Sequence, residues 1–259
     1  MPGIEGALLD IDGTILDGGA AIPGAADALA QIQKKGVAVL LATNTSRKSR
    51  SDVAASLRNA GIPAQENEIL SAVVAAATRL QENGVRRLFP LLTPAALADL
   101  NAFELTEDHP EVVLVGDMGR LFTFDLLNQA FLHLRAGARL VAAQRNRYWK
   151  SEQGIQIDAG AFVAALEYAA DTKADIMGKP APAFFHAAAM LLHKPAHNLV
   201  VVGDSLENDA GGGRAAGMKT VLVRTGLYDE KKLQATPPRE RPDFVIDSVR
   251  DLPKLLETW

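Results

Sequence analysis

Residues 7–18 read ALLDIDGTILDG: an apolar run that ends in Asp10 and is followed by Ile11, Asp12, Gly13 and Thr14. A short apolar run closed by turn residues has the length and content of a buried strand rather than a helix. In a doubly wound sheet, ligands bind outside the carboxyl ends of the strands. That places Asp10 at the mouth of a crevice, with Gly13 letting the backbone turn tightly about a bound phosphate. Asp-x-Asp-Gly-Thr is also an ordinary composition for a capped turn, so the fold reading needs the rest of the chain.

Working outward, similar runs recur at 37–42, 112–115, 139–143, 199–202 and 220–223, several of them almost continuously apolar. Such runs suit strands covered on both faces. Helical patterns lie between them at 23–35, 51–60 (ended by Gly61), 181–192 and 209–216 (ended by Gly217). Strand and helix in alternation predict βαβ units and a parallel sheet. The fold expected is α/β, a Rossmann-like doubly wound core.

The middle of the chain carries a pattern of its own: helices at 73–83, 94–100, 123–135 and 159–170, with strands at 87–91, 112–115 and 139–143. We therefore expect an α/β core domain formed by 1–72 and 173–259, and an inserted α/β domain at 73–172. A Pro-rich connection, ATPPRERP at 235–242, precedes a last strand at 244–246 and a terminal helix at 249–257.

Three further strand ends carry polar groups. VLLATNTSRKS at 39–49 delivers Thr43, Asn44 and Thr45, whose hydroxyls and backbone N–H groups can hold phosphoryl oxygens near a helix start. Met177-Gly178-Lys179-Pro180 places a fixed cation before a helix-starting proline. LVVVGDSLEND at 199–209 ends a buried-type strand in Asp204, with Asp209 expected at a helix start. Each also has a bland reading as an N-cap, a surface lysine or a capping pair. Taken together they fit one scheme. A carboxylate attacks phosphorus, a lysine and a divalent cation offset charge, and a second carboxyl group moves the proton. Paired carboxylates in one crevice repel unless a cation sits among them, and Mg²⁺ suits hard carboxylate oxygens.

DIDGT, the Thr43 strand end, Gly178-Lys179-Pro180 and GDSLEND resemble the four motifs of the haloacid-dehalogenase-like phosphohydrolase superfamily. An insertion between Thr43 and Lys179 resembles the type IIA cap of its NagD-like and p-nitrophenylphosphatase branch. Within the insertion, LLNQAF (126–131), RYWKSEQG (147–154) and FVAALEYAADTKA (162–174) are similar to the haloacid dehalogenase-like hydrolase domain-containing protein 2 group. The resemblance implies Asp10 as nucleophile and metal ligand, and Asp12 as general acid/base with its carbonyl on the metal. It further implies Thr43, Asn44 and Thr45 as phosphate-binding residues and Lys179 as charge-offsetting cation. Mg²⁺ would be held by Asp10, Asp12, Asp204 and Asp209.

An acid two residues after the nucleophile fits phosphoester cleavage better than carbon–halogen cleavage. Arg147 and Tyr148, beside Asn146 and Trp149, are the residues expected to recognise the substrate's non-phosphate part, although the aromatics could equally pack the cap. Asp117 in VLVGDMG is read as a turn residue. The substrate expected is a small phosphorylated metabolite: a phosphomonoester, a phosphoamino acid or pyrophosphate. A phosphotransferase or phosphomutase of the same fold, or a signalling module that holds its phosphate, are the competing readings.

Composition bounds the rest. The 259 residues are 48% hydrophobic and 22% charged, with net charge −4. Nucleic acid is not expected as a partner, since a phosphate backbone demands a basic face. Cysteine is absent, which excludes disulfides, thiolate nucleophiles and Cys-ligated zinc. The start MPGIEGALLDIDGT lacks the basic and apolar regions of a signal peptide, and no apolar run reaches the ~18 residues of a membrane span. A cytoplasmic protein is expected. Relatives with this cap are often dimers, which leaves a homodimer through the cap open.

Overall fold

The sheet that begins with Gly6–Asp10 has six strands, in the spatial order Phe244–Ile246, Lys219–Val223, Leu199–Gly203, Gly6–Asp10, Ala38–Thr43, Ile69–Ser71. Numbered along the chain this is the order 6-5-4-1-2-3 of a Rossmann-like sheet. The first strand pairs in parallel with both Ala38–Thr43 and Leu199–Gly203, and Lys219–Val223 continues the parallel ladder outward to Phe244–Ile246. This is a computed structural model, and it describes residues 3–151 and 154–259.

The chain divides into two compact units. One comprises residues 1–43, 51–70 and 179–259; the other comprises 44–50 and 71–178. These bounds differ from the expected 1–72, 73–172 and 173–259. Residues 44–50 group with the second unit because their side chains and backbone bond there, as described below.

In the first unit, alternation along the strands sends successive residues to opposite faces. Ala7, Leu9, Val39, Leu41, Val200 and Val202 pack with Leu29, Ile32, Val53, Leu57 and Leu252 on one face. Leu8, Leu40 and Val201 are buried on the other, where the helix Pro182–Leu192 contributes fully buried Phe184 and Phe185. Their rings meet edge-on with centroids 5.6 Å apart. Truncating a buried aromatic removes transfer free energy and leaves a cavity. Phe184→Ala should therefore cost about 3–5 kcal/mol, measured as a lower denaturant midpoint with an unchanged slope.

The second unit has its own five-stranded parallel sheet, in the order Asp175–Ile176, Arg139–Ala142, Val112–Val115, Arg87–Leu91, Glu104–Leu105. Phe89, Leu91, Val113, Val115, Leu140 and Ala142 pack against Leu134 and Val163 of the helices Phe124–Arg135 and Ala159–Ala170. Thr123 caps the first of these helices by accepting from Leu126 N–H, and Asp158 caps the second by accepting from Ala159 N–H. Strands Tyr148–Ser151 and Gly154–Ile157 pair antiparallel.

Three helix expectations change. The helix expected at 94–100 is a short α-helix, Pro94–Leu97, followed by a 3₁₀ turn, Ala98–Leu100. The segment expected to be helical from Asp209 to Ala216 begins earlier, as a π-helical turn over Leu206–Gly211, and continues as a short α-helix Gly212–Ala215. Ser205 starts it by accepting from Asn208 N–H. The terminal helix is broken into single turns at Val249–Asp251, Leu252–Leu255 and Leu256–Thr258. No helix among the described residues is long and apolar enough to cross a membrane.

Candidate active site

The order 6-5-4-1-2-3 reverses direction between the first strand and Leu199–Gly203, and the carboxyl ends at such a switch point form a natural crevice. Asp10 is the last residue of one of these two strands and Asp204 directly follows the other. The π-helical turn brings Asp209 to the same place, and Lys179 arrives ahead of the helix Pro182–Leu192.

All four side chains are buried. Lys179 Nζ donates to Asp10 Oδ1 at 2.5 Å and to Asp209 Oδ1 at 2.6 Å. Asp209 Oδ2 accepts from Ser205 N–H at 3.1 Å, and Asp204 Oδ2 accepts from Leu227 N–H at 2.7 Å. The wider i→i+5 turn explains why Asp209 faces inward: it carries the carboxylate back over Ser205 instead of leaving it at a helix start.

Gly13 has φ +85°, in the left-handed region, and a Cβ there would lie 2.0 Å from Asp204 Oδ2. The group that approaches this glycine is the Asp204 carboxylate. Thr225 Oγ1 fastens the same turn by donating to the Gly13 carbonyl at 2.5 Å.

The electrostatics follow from burial. Desolvation pushes the Asp10 carboxyl well above the usual carboxylate range, opposed by Lys179 and reinforced by Asp209 and Asp204. Burial likewise raises Asp204, to about 6, against the pull of its Leu227 hydrogen bond. For Lys179 burial works to lower the ammonium's pKa, but the two carboxylates it touches outweigh this and raise it. The lysine is thus a permanent cation held between two acids.

Asp10, Asp204 and Asp209 each offer an oxygen, and these oxygens all lie within 4.8 Å of one another. A set of hard, anionic oxygen donors with one ammonium beside it fits a divalent cation such as Mg²⁺.

The remaining expected residues lie as follows. Thr43 is buried at the end of Ala38–Thr43, one residue beyond Ala42, the ladder partner of Asp10. Asp12 is exposed, and its carboxylate is not among the three clustered ones. Asn44 and Thr45 are half-buried and group with the second unit.

Arg147 and Tyr148 are exposed on that second unit, Tyr148 opening the antiparallel pair. The loop before them is anchored. Gln144 Nε2 donates to buried Asp158 Oδ1 at 2.6 Å, Gln144 Oε1 accepts from Asn146 N–H at 2.5 Å, and Arg145 pairs with buried Glu167 at 2.5 Å. Sequence reading missed Ser205, Thr225 and Leu227, which act through backbone groups or a single hydroxyl. Asp117, read as a turn residue, accepts from Gly119 N–H two residues on; its burial and its bond to Ser46 were not read.

Comparison with known proteins gives this constellation a context. A family model described as haloacid dehalogenase-like hydrolase matches residues 7–106, and a HAD-hydrolase-like model matches 176–252. The haloacid dehalogenase-like hydrolase domain-containing protein 2 of Pongo abelii is 36% identical over 90% of this chain and 90% of its own. The chain belongs to the haloacid-dehalogenase-like hydrolases. Among these hydrolases, the human phospholysine phosphohistidine inorganic pyrophosphate phosphatase is 31% identical over 99% of this chain and 95% of its own length.

Two solved structures of the superfamily show the same likeness. A p-nitrophenyl phosphatase from Archaeoglobus fulgidus superposes with a TM-score of 0.88 at 28% identity, covering 98% of this chain and all of the other. A glycerol phosphate phosphatase from Mycobacterium tuberculosis in complex with magnesium gives 0.86 at 29%, covering 98% of this chain and 78% of the other. The chain is a NagD-like member of the superfamily and an enzyme of its phosphatase group.

Proposed function

We propose that this hydrolase is a Mg²⁺-dependent phosphatase that cleaves a small phosphorylated metabolite through an aspartyl phosphate on Asp10. The observation that carries the reading is the convergence of Asp10, Asp204, Asp209 and Lys179 at the switch point of the sheet.

In this reading an oxygen of Asp10 attacks phosphorus while the bond from phosphorus to the leaving oxygen breaks. Asp12 delivers a proton to that oxygen; its exposure suits a group that must exchange protons with solvent. A water molecule, deprotonated by Asp12, then attacks phosphorus, releasing phosphate and restoring the Asp10 carboxylate. Lys179 fixes the direction of the Asp10 carboxylate and supplies a positive charge beside the phosphoryl oxygens. Thr43, Asn44 and Thr45 bind those oxygens through hydroxyl, amide and backbone donors. Mg²⁺, held by Asp10, Asp204, Asp209 and the carbonyl of Asp12, supplies further offset for the negative charge of the phosphoryl group when bound.

Arg147 and Tyr148 are proposed to recognise the rest of the substrate. A guanidinium beside an aromatic ring suits an anionic or planar group. The relatives named above act on phospholysine, phosphohistidine, pyrophosphate, glycerol phosphate or p-nitrophenyl phosphate by their names, so the substrate proposed is a phosphomonoester, a phosphoamino acid or pyrophosphate. A homodimer through the second unit and a cytoplasmic location complete the proposal.

The test is phosphate release from a panel of such compounds with Mg²⁺ and with chelator. Asp204→Ala should raise the Mg²⁺ concentration for half-maximal activity by about tenfold or more. An unchanged metal dependence would remove Asp204 from the metal site. Transfer to an added sugar in place of phosphate release would mark a phosphotransferase.

A further inference from the structure

The segment 44–50 carries the expected phosphate-binding Asn44 and Thr45, and within the second unit it is fastened at successive points. Asp99, its side chain only 5% exposed, accepts from Arg50 N–H at 2.9 Å and from Arg50 Nε at 3.0 Å. Asp117, also 5% exposed, has its backbone N–H donating to Ser46 Oγ at 2.9 Å and its carboxylate paired with Arg47 at 3.4 Å. Asp117 Oδ1 accepts in turn from Gly119 N–H at 2.8 Å, which fixes its orientation.

Other contacts lock the same stretch. Thr93 Oγ1 donates to the Arg47 carbonyl at 2.6 Å, and the Arg47 guanidinium lies 5.4 Å from the Trp149 ring centroid. Gly116 admits Ser46, since a Cβ there would stand 2.9 Å from Ser46 Cβ. A buried carboxylate that accepts two N–H groups of one arginine fixes position as well as charge.

We infer that Asp99 and Asp117 are positioning residues for phosphoryl-group binding: they hold the 44–50 segment that carries Asn44 and Thr45. The inference rests on the proposed phosphate-binding role of those two residues. The segment starts directly after Thr43 and ends where the helix Arg50–Asn59 begins. The carboxylates that bind it lie 49 and 70 residues away along the chain, and the backbone N–H of Asp117 adds a contact to Ser46. Placement of donors to within a fraction of an ångström decides how well a phosphoryl group is held. The acids of the inserted unit therefore tune affinity for the group that all substrates share, separately from any residue that selects among them.

Asp99→Ala and Ser46→Ala in the full chain test this, by amide hydrogen exchange and by hydrolysis of p-nitrophenyl phosphate with Mg²⁺, inorganic phosphate serving as competitor. Exchange in 44–50 should accelerate while the Gly6–Asp10 and Leu199–Gly203 amides exchange as in the parent. KM and the inhibition constant of inorganic phosphate should both rise about tenfold, with kcat within about twofold. A lower kcat at unchanged KM and unchanged phosphate inhibition would signify mere loss of folded enzyme and overturn the inference. So would unchanged exchange across 44–50. A parent chain that fails to release phosphate from any compound would instead overturn the phosphatase reading, leaving exchange to report on the connector by itself.

Discussion

Asp10→Asn is expected to lower turnover by about 10⁴-fold or more while leaving the fold intact. The amide keeps the shape and can still accept a hydrogen bond from Lys179, so the sheet and the lysine's seat persist. What it lacks is an anionic oxygen able to form the bond to phosphorus. Thermal unfolding and steady-state hydrolysis measured on the same sample separate the two effects. A variant that retains hydrolysis above about a hundredth of the parent rate would exclude Asp10 as nucleophile. Trapping provides a second measurement: acid-quenched parent enzyme should carry phosphate on Asp10, and the variant should carry none.

Lys179→Met is the second large effect, and it acts on stability and rate together. Its ammonium is 4% exposed and bonded to two carboxylates that are themselves buried. Removing one partner of a buried ion pair costs about 3–5 kcal/mol because the remaining charge is left uncompensated. Turnover should fall about 10²–10³-fold through loss of a preorganised cation beside the phosphoryl oxygens.

The pH dependence of this variant has a definite sign. Burial already holds the Asp10 carboxyl above its unfolded value, and Lys179 is the principal group opposing that shift. Without the lysine, the folded state binds a proton on Asp10 still more tightly than the unfolded chain does. The unfolded chain is common to both proteins, so the variant's deficit is full above its own raised folded Asp10 pKa. It shrinks as pH falls from there to the parent's folded value, itself held above the usual carboxylate range by burial. Urea midpoints of both proteins across a pH series from alkaline to mildly acidic check this. A deficit that grows on acidification would contradict the assigned electrostatics.

How much of this was legible in the chain varies by residue. The strand ends at Asp10 and Asp204 could be read because a short apolar run followed by Asp and Gly has few other uses, and parallel strands present those ends on one side. The strand Val112–Val115 and the helix Ala159–Ala170 fall where periodicity puts them. Asp209 could be assigned to the site but not to its turn, since nothing in LENDAG distinguishes an i→i+5 turn from the start of an α-helix. Leu227 was invisible because its contribution is a backbone N–H, which every residue but proline owns.

The tertiary partners of Asp99 and Asp117 were passed over for another reason. Local sequence shows Asp99 only as a polar residue of an expected helix and Asp117 as a turn residue, and only the folded chain brings Arg50 and Ser46 to them. The exposed Asp12 shows the converse. Its place two residues after Asp10 is read directly, while its separation from the three clustered carboxylates depends on the tight turn in which Gly13 N–H donates to the Leu16 carbonyl at 2.6 Å.

The attachment of 44–50 sets a rule for anyone recombining such enzymes. A chimera that exchanges residues 71–178 for the equivalent stretch of a relative, but keeps its own 44–50, would strand two buried acids on one parent and their arginines on the other. The transferable module is discontinuous, a seven-residue strap together with the larger insert, and grafts drawn at those seams inherit a matched set of charges.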